Sequence, residues 1–336
     1  MAVVSVKDVA AHAGVSVGTV SNVMNHPEKV AESSRARVLA AIQELGFIRN
    51  DAARQLRDGR SSSIGFIVLD VRNPFFTDIA RGAEDRAASN GLSVLLANSD
   101  QSLQRESAYL DLFEQQRVLG VLISPLADIT HRLGTLRARG IPAVLVDRAA
   151  ADASVSSVSV DDVAGGRMAA EHLISTGRRR IAYLGGPLEL RQAADRLAGA
   201  RQAVEANPGV ALEVVELDGL SVLAGRVAGA RIANSRSRPD AIFAANDLVA
   251  MGVLQALLKQ SSGIRVPEDI TLIGYDDIDF ASAAVVPLSS IRQPAGLIGQ
   301  TAVEILLEEA ADPTIAPRQI EFQPALVVRA SSTQPT

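Results

Sequence analysis

Cysteine and tryptophan are absent from this 336-residue chain, and it holds three tyrosines, eight phenylalanines and four histidines. Without thiols there are no disulfides and no thiolate metal site, which suits a reducing compartment. His12, His26, His131 and His172 stand far apart in the sequence and supply no zinc-ligand spacing. No apolar run approaches the ~20 residues of a membrane-spanning helix. The N-terminal MAVVSVKDVAAHAG lacks a basic segment followed by an apolar one, so no secretory signal is read there. A cytoplasmic protein without a membrane partner is expected. The patterns G-x-x-x-x-G-K-[ST], G-x-G-x-x-G and H-E-x-x-H are also missing. Neither a metal nor a cofactor is expected.

What is present suits a globular chain, with 47% hydrophobic and 21% charged residues. The length suggests two or three domains. Residues 1–60 carry eight Lys/Arg against six Asp/Glu, which leaves 25 and 32 of the totals of 33 and 38 for the remainder. A mildly basic head on an acidic body points toward a polyanion partner for the head, although chance surface charge explains it equally well.

The head reads as three short helices. Ser5-Val6-Lys7-Asp8 is a capping box ahead of Val6, Val9, Ala10 and Ala13 at helical spacing. Gly14 ends that helix, Ser16 caps a second running to about Asn25, and Ser33 or Ser34 opens a third that Gly46 closes. This is the helix-turn-helix plan. The turn GVSVG, Gly14 to Gly18, also fits G-x-S-x-G, the nucleophile elbow of Ser hydrolases, with Ser16 as the nucleophile. An elbow needs a strand before it. Here a capped helix precedes it and every expected strand lies downstream, so the hydrolase reading fails on context.

From Ile64 onward the pattern changes to short apolar runs: 64–70, 92–98, 120–125, 142–147, 180–186, 214–219, 240–247 and 270–277. Stretches of helical periodicity, such as 77–90, 104–117, 162–176 and 192–206, separate most of them. Such alternation builds parallel sheets covered by helices, and eight strands argue for two α/β lobes. Polar residues follow the strands: Asp70 and Asn73, Asn98 and Asp100, Asp147 and Arg148, Asn246 and Asp247, Asp276 and Asp277. In open α/β sheets the ligand crevice lies at those carboxyl ends. Helix capping by Asp and Asn is the competing account for each residue singly.

Several segments together resemble the lactose-repressor/galactose-repressor family of bacterial transcription regulators. They are VKDVAAHAGVSVGTVSNVMNHPEKV, VLAAIQELGFIRNDAARQLRDGRS, IGFIVLDVRNPFF, GGPLEL, FAANDLVAMGVLQAL, PEDITLIGYDDI and PLSSIRQP. The resemblance implies an all-α helix-turn-helix head over 1–48 and a hinge helix over 49–61. It also implies an α/β two-lobed core of periplasmic-binding-protein type I, with parallel sheets and three crossovers. The lobes would be 62–160 plus 292–322, and 161–291 plus 323–336. The implied function is effector-controlled binding to double-stranded operator DNA, most simply as a repressor. A solute-binding protein of the same core fold is the alternative.

By the same resemblance, Ser5, Ser16, Val17, Gly18, Thr19, Ser21, Asn22 and Asn25 meet DNA, with Ala53 and Leu56 of the hinge in the minor groove. Asn73, Phe75, Asp100, Asp147, Arg191, Arg196, Asn246 and Asp276 would hold the effector. A sugar is expected over a purine, because few aromatic rings are available for stacking. A homodimer is expected over a tetramer, since the polar SSTQPT terminus carries no leucine heptad.

Overall fold

The computed structural model describes residues 4–47, 61–259 and 263–333. The chain divides into two units, Met1–Arg60 and Ser61–Thr336.

In the first unit, α1 (Val6–Ala13) starts at the Ser5 capping box, in which the Asp8 carboxylate accepts from the Ser5 amide at 2.8 Å. Gly14 ends α1 in the left-handed region at φ 62°, where a side chain would be strained. After Val15 and Ser16, α2 (Val17–Asn25) begins, and after a 3₁₀ turn (Pro27–Lys29) comes α3 (Glu32–Leu45). The third helix opens one residue before Ser33. Its N-cap is Ala31, with no side-chain cap, and Glu32 supplies the negative charge near the helix N-terminus instead. Val9, Ala10, Ala13, Val20, Val23, Val38 and Ala41 form the small core. The expected hinge residues, Ala53 and Leu56 among them, lie outside the described residues.

The second unit alternates strand and helix. Its first part runs β1 (Ser63–Val68), α4 (Pro74–Ala88), β2 (Ser93–Asn98), α5 (Leu103–Gln115), β3 (Val121–Ile123), α6 (Thr130–Ala138), β4 (Ala143–Val146) and β5 (Ser156–Val160). Then follow α7 (Asp162–Ser175), β6 (Arg180–Gly185), α8 (Arg191–Glu205), β7 (Ala211–Glu216), α9 (Val222–Asn234), β8 (Ala241–Ala244) and α10 (Asp247–Leu257). The last elements are β9 (Thr271–Asp276), α11 (Asp279–Ser282), β10 (Ser289–Arg292), α12 (Ala295–Ala311), β11 (Gln319–Phe322) and β12 (Ala325–Val327).

Two six-stranded sheets result. The first has order β11-β5-β4-β3-β1-β2 and is parallel throughout. The second has order β12-β10-β9-β8-β6-β7, with β12 alone antiparallel. The chain passes between sheets after β5, after β10 and after β11. Arg292, expected to open the return to the first lobe, is instead the last residue of β10 in the second sheet.

Three helix pairs flank the sheets in reciprocal backbone contact through glycine. A Cβ on Gly82 of α4 would sit 2.1 Å from the Gly296 carbonyl oxygen, and one on Gly299 of α12 would sit 2.0 Å from that of Ile79. Gly166 of α7 and Gly199 of α8 lie against Arg196 and Val163 in the same way, at 2.0 and 1.9 Å. Gly225 of α9 and Gly252 of α10 lie against Val249 and Val222, at 2.2 and 2.0 Å. These contacts hold each helix pair together at backbone distance.

Candidate functional site

The helix starts and strand ends converge on a cleft between the lobes. Its lining includes Leu69, Asp70, Asn73, Phe75, Phe76 and Gln101 from the first lobe, with Asp147 at the end of β4. Leu190, Gln192, Arg196, Leu220, Asn246 and Asp276 complete it from the second. The cleft spans about 490 Å³ with its mouth and the open solvent there included.

Asn73 caps α4, its Oδ1 accepting from the Phe75 amide at 3.1 Å, while its Nδ2 crosses the cleft and donates to Asp276 Oδ2 at 3.0 Å. Capping and site-forming therefore coincide in one side chain. Asn246 caps α10 in the same way, through the Val249 amide at 2.9 Å. Phe75 and Phe76 lie edge to face, with ring centroids 5.3 Å apart. Both are buried, and both line the cleft.

Arg196 is the electrostatic centre. Its Nε donates to Asp162 Oδ1 at 2.8 Å and its Nη1 to the Ala245 carbonyl at 2.7 Å. Asp276 Oδ1 lies 3.8 Å from Nη1, and the Tyr275 ring centre lies 3.7 Å from the guanidinium carbon. Asp276 also accepts from Gln293 Nε2 at 2.8 Å. Gln192 Nε2 joins the lobes a second time, donating to the Asp147 carbonyl at 2.8 Å and to Asp147 Oδ2 at 2.9 Å. Asp147 Oδ1 is buried without a hydrogen-bond partner.

Three buried carboxylates around one guanidinium cannot all ionise freely. Burial raises Asp276 to about 6 against the pull of Arg196. Burial, and then the neighbouring Asp162, drive Asp147 well above the usual carboxylate range. Burial also raises Asp162, with Arg196 opposing it. Backbone strain marks the same places. Asp100, Gln101, Asp147, Asp276 and Asp277 all have positive φ, at 50°, 56°, 59°, 100° and 57°, a conformation that Asp tolerates better than most residues and that collects at sites.

On the head, Ser16 Oγ accepts from the Thr19 amide at 3.0 Å and so caps α2. Ser5, Ser16, Val17, Gly18 and Asn22 are exposed or half-buried, as are Thr19, Ser21 and Asn25, while Val20 and Val23 face the core. Asn25 Nδ2 donates to the Ser21 carbonyl at 2.8 Å. Ser16 is thus the tip of a helix, preceded by a helix and a turn rather than by a strand.

The comparisons agree with both surfaces. Residues 5–50 match the family described as "Bacterial regulatory proteins, lacI family", and residues 170–332 match "Periplasmic binding protein-like domain". The chain is 35% identical over 332 residues to the HTH-type transcriptional repressor PurR of Photobacterium profundum, covering 97% of this chain and 98% of that one. It is 34% identical over 335 residues to the ribose operon repressor of Escherichia coli, covering 98% and 99%. The chain belongs to the LacI family. Among solved structures, the Lac repressor dimer bound to operator and the anti-inducer ONPF superposes with a TM-score of 0.84. Identity there is 30%, over 98% of this chain and 99% of that one. As a LacI-family member, this chain is a DNA-binding transcriptional regulator that responds to a small molecule, and it is not an enzyme. The head matched at residues 5–50 sets it apart from a solute-binding protein.

Six of the eight residues expected to hold the regulator's effector line the cleft, and two do not. Asp100 is drawn outward into ion pairs with Arg72 and Arg105, at 2.8 and 3.3 Å, and Gln101 lines the cleft in its place. Arg191 is exposed and pairs with Asp195 at 2.7 Å, one turn along α8. Gln192, Leu220 and Asp162 went unnoticed in the sequence. Gln192 and Leu220 carry no signal of their own. An Asp in the first turn of a helix, as at 162, reads as an ordinary helix-start residue. Among the described residues no group of His, Asp and Glu could hold a metal, and no helix is long and apolar enough to cross a membrane.

Proposed function

We propose that this LacI-family regulator represses transcription from a near-palindromic operator as a cytoplasmic homodimer, and that a monosaccharide bound between its lobes controls operator affinity. The cleft carries the reading. Asp147, Asp276, Asn73, Gln192 and Asn246 supply acceptors and paired amides for hydroxyl groups, while Phe75 and Phe76 give an apolar wall for a sugar's C–H face. The ribose operon repressor among the relatives fits the same ligand class. Ligand binding shifts the lobe arrangement by its differential affinity for two states, and DNA affinity shifts with it. On the head, the first turns of α2 present Ser16, Val17, Gly18, Thr19, Ser21 and Asn22 to the major groove, with Ser5 and Asn25 beside them.

The dimer surface is read from the sheet edges. β2 and β7 are terminal strands of their sheets, and they expose Leu95, Leu96 and Val214, while Leu223 on α9 is 60% exposed. Uncovered apolar edges of this kind are association surfaces. Leu96→Glu combined with Leu223→Glu should yield monomers in sedimentation velocity runs and weaken operator binding. Thermal-shift measurements on the full-length protein with sugars and nucleobases test the effector class, because a bound ligand raises stability by mass action. A shift with at least one monosaccharide supports the reading; shifts confined to nucleobases would replace it with a purine effector.

A further inference from the structure

The charges around the cleft state which form of a sugar it accepts, an inference that rests on the sugar reading above. Three lining side chains are carboxylates, Asp70, Asp147 and Asp276, against a single guanidinium, Arg196. That guanidinium is already committed within the protein, to Asp162 at 2.8 Å and to the Ala245 carbonyl at 2.7 Å, with Tyr275 stacked on its face. Asp162, buried behind it, brings a further negative charge. Arg72 neutralises Asp70 at 2.9 Å. Asp276 is left to share Arg196 with Asp162, at 3.8 and 2.8 Å, and Asp147 Oδ1 beside them is buried without a hydrogen-bond partner. The Asp276 carboxylate attracts a hydroxyl donor and repels a second anion.

The cations beyond the cleft do not reverse the sign. Arg105 is paired with Asp100, and Arg191 with Asp195. Arg148 follows Asp147 in the chain, but its Nη1 reaches the Pro125 carbonyl at 3.5 Å and Asp128 and Glu106 are its acidic neighbours. None of these arginines lines the cleft. The first turns of α4 and α10 are capped by Asn73 and Asn246. The first turn of α8 has no side-chain cap, yet it carries Gln192, which is bonded to the Asp147 carboxylate.

We infer that the cleft binds the uncharged sugar and turns away its phosphate ester. The regulator then senses the sugar ahead of the kinase-type step that would phosphorylate it. A phosphate monoester adds roughly −1.5 to −2 of charge at neutral pH. One like-charge pair at about 6 Å and an effective dielectric of about 20 lowers affinity about 100-fold.

Isothermal titration calorimetry on the full-length protein tests this with D-ribose, D-glucose and D-fructose against ribose 5-phosphate, glucose 6-phosphate and fructose 6-phosphate. At least one neutral sugar should bind, and its ester should bind about 100-fold more weakly or not at all. Asp276→Asn keeps the shape and removes one charge, so it should narrow that gap about tenfold. An ester that binds as tightly as its parent sugar, or tighter, overturns the inference and leaves the sugar reading standing. A protein that binds none of the six, but does bind adenine, guanine or hypoxanthine, defeats the sugar reading and the inference with it. The wild-type comparison decides the matter even where the variant fails to fold. A folded variant with an unchanged gap removes Asp276 from its assigned role.

Discussion

At the scale of single residues, Arg196 has the most to lose. It faces Asp162 at 2.8 Å and Asp276 at 3.8 Å in a buried pocket, and removing one partner of a buried ion cluster leaves charge uncompensated. Arg196→Met should therefore destabilise the core by about 3–5 kcal/mol in urea unfolding. Arg196→Lys should recover little of this, since a lysine cannot donate to both Asp162 and the Ala245 carbonyl while stacking on Tyr275. On the head, Asn22 lies on α2 outside its buried face, and an amide there can bond adenine bidentately. Asn22→Ala should change base preference at one position of each half-site in a binding-site selection experiment; a uniform loss over all sequences refutes a base-reading role. Gly18 has an ordinary helical φ, and an added Cβ would meet only Ser16 Oγ at 3.6 Å. Nothing within the head requires glycine there, so Gly18→Ala should raise head stability by up to about 1 kcal/mol. Weaker operator binding by that stabilised head identifies a close backbone approach to DNA.

The residue scale is also where sequence reading succeeds and fails by one position. Asn73, Asp147, Asn246 and Asp276 were visible because polar residues after strands point to the crevice. Asp100 was as visible as they were, but Asp100 and Gln101 both adopt positive φ, and the turn sends Asp100 to Arg72 and Arg105 while Gln101 lines the cleft. In α8 the helical phase decides. Arg191 and Asp195 share the outer face, whereas Gln192 and Arg196 share the inner one. Spacing alone puts 191–195 and 192–196 on faces of their own, but only packing shows which face meets the cleft.

At the scale of elements, the apolar runs located eight strands and missed four. β5 (SSVSV) and β10 (SSIR) are rich in serine and lack an apolar run, yet their serines are buried, with Ser156 Oγ donating to Glu309 at 2.5 Å and Ser290 Oγ to Asp247 at 2.8 Å. β11 and β12 are short edge strands, with little pattern to read. The glycine-linked helix pairs were equally hidden, because a glycine inside a helix signals no partner. They yield a paired prediction. A Cβ at Gly199 would meet the Val163 carbonyl oxygen at 1.9 Å and the Arg167 nitrogen at 2.5 Å, and backbone cannot rotate away. Gly199→Ala should cost at least about 1–3 kcal/mol and reduce effector affinity, since it pushes apart the helices that carry Asp162 and Arg196. Gly134, inside α6, has open space around its would-be Cβ, so Gly134→Ala should be neutral or stabilising by up to about 1 kcal/mol. Thermal unfolding of the two variants side by side checks both signs.

At the scale of the whole molecule, the buried acids make stability and ligand affinity respond to pH in opposite directions. Asp147, Asp162, Asp247 and Asp276 are all raised by burial first. A carboxyl group raised in the folded state holds its proton more tightly than in the unfolded chain. Its contribution is present in full below the unfolded value and is lost as pH rises through the folded one. For Asp276, moved from 3.8 to about 6, the loss is about 3 kcal/mol between about pH 4 and pH 7. Core stability in urea should therefore fall across that window, and Asp276→Asn should flatten the fall. A hydroxyl group donating to the Asp276 carboxylate favours the ionised form, so sugar affinity should rise about tenfold from about pH 5 to pH 7, with protons released on binding. Calorimetry in two buffers of different ionisation enthalpy measures that release directly. Proton uptake, or an affinity independent of pH, would place the ligand's donors on groups other than this carboxylate cluster. A proton released on binding means that the ligand takes over part of the compensation that protonation supplies at low pH. The same three carboxylates around Arg196 would then set how firmly the lobes are held together and how strongly the ligand is held between them.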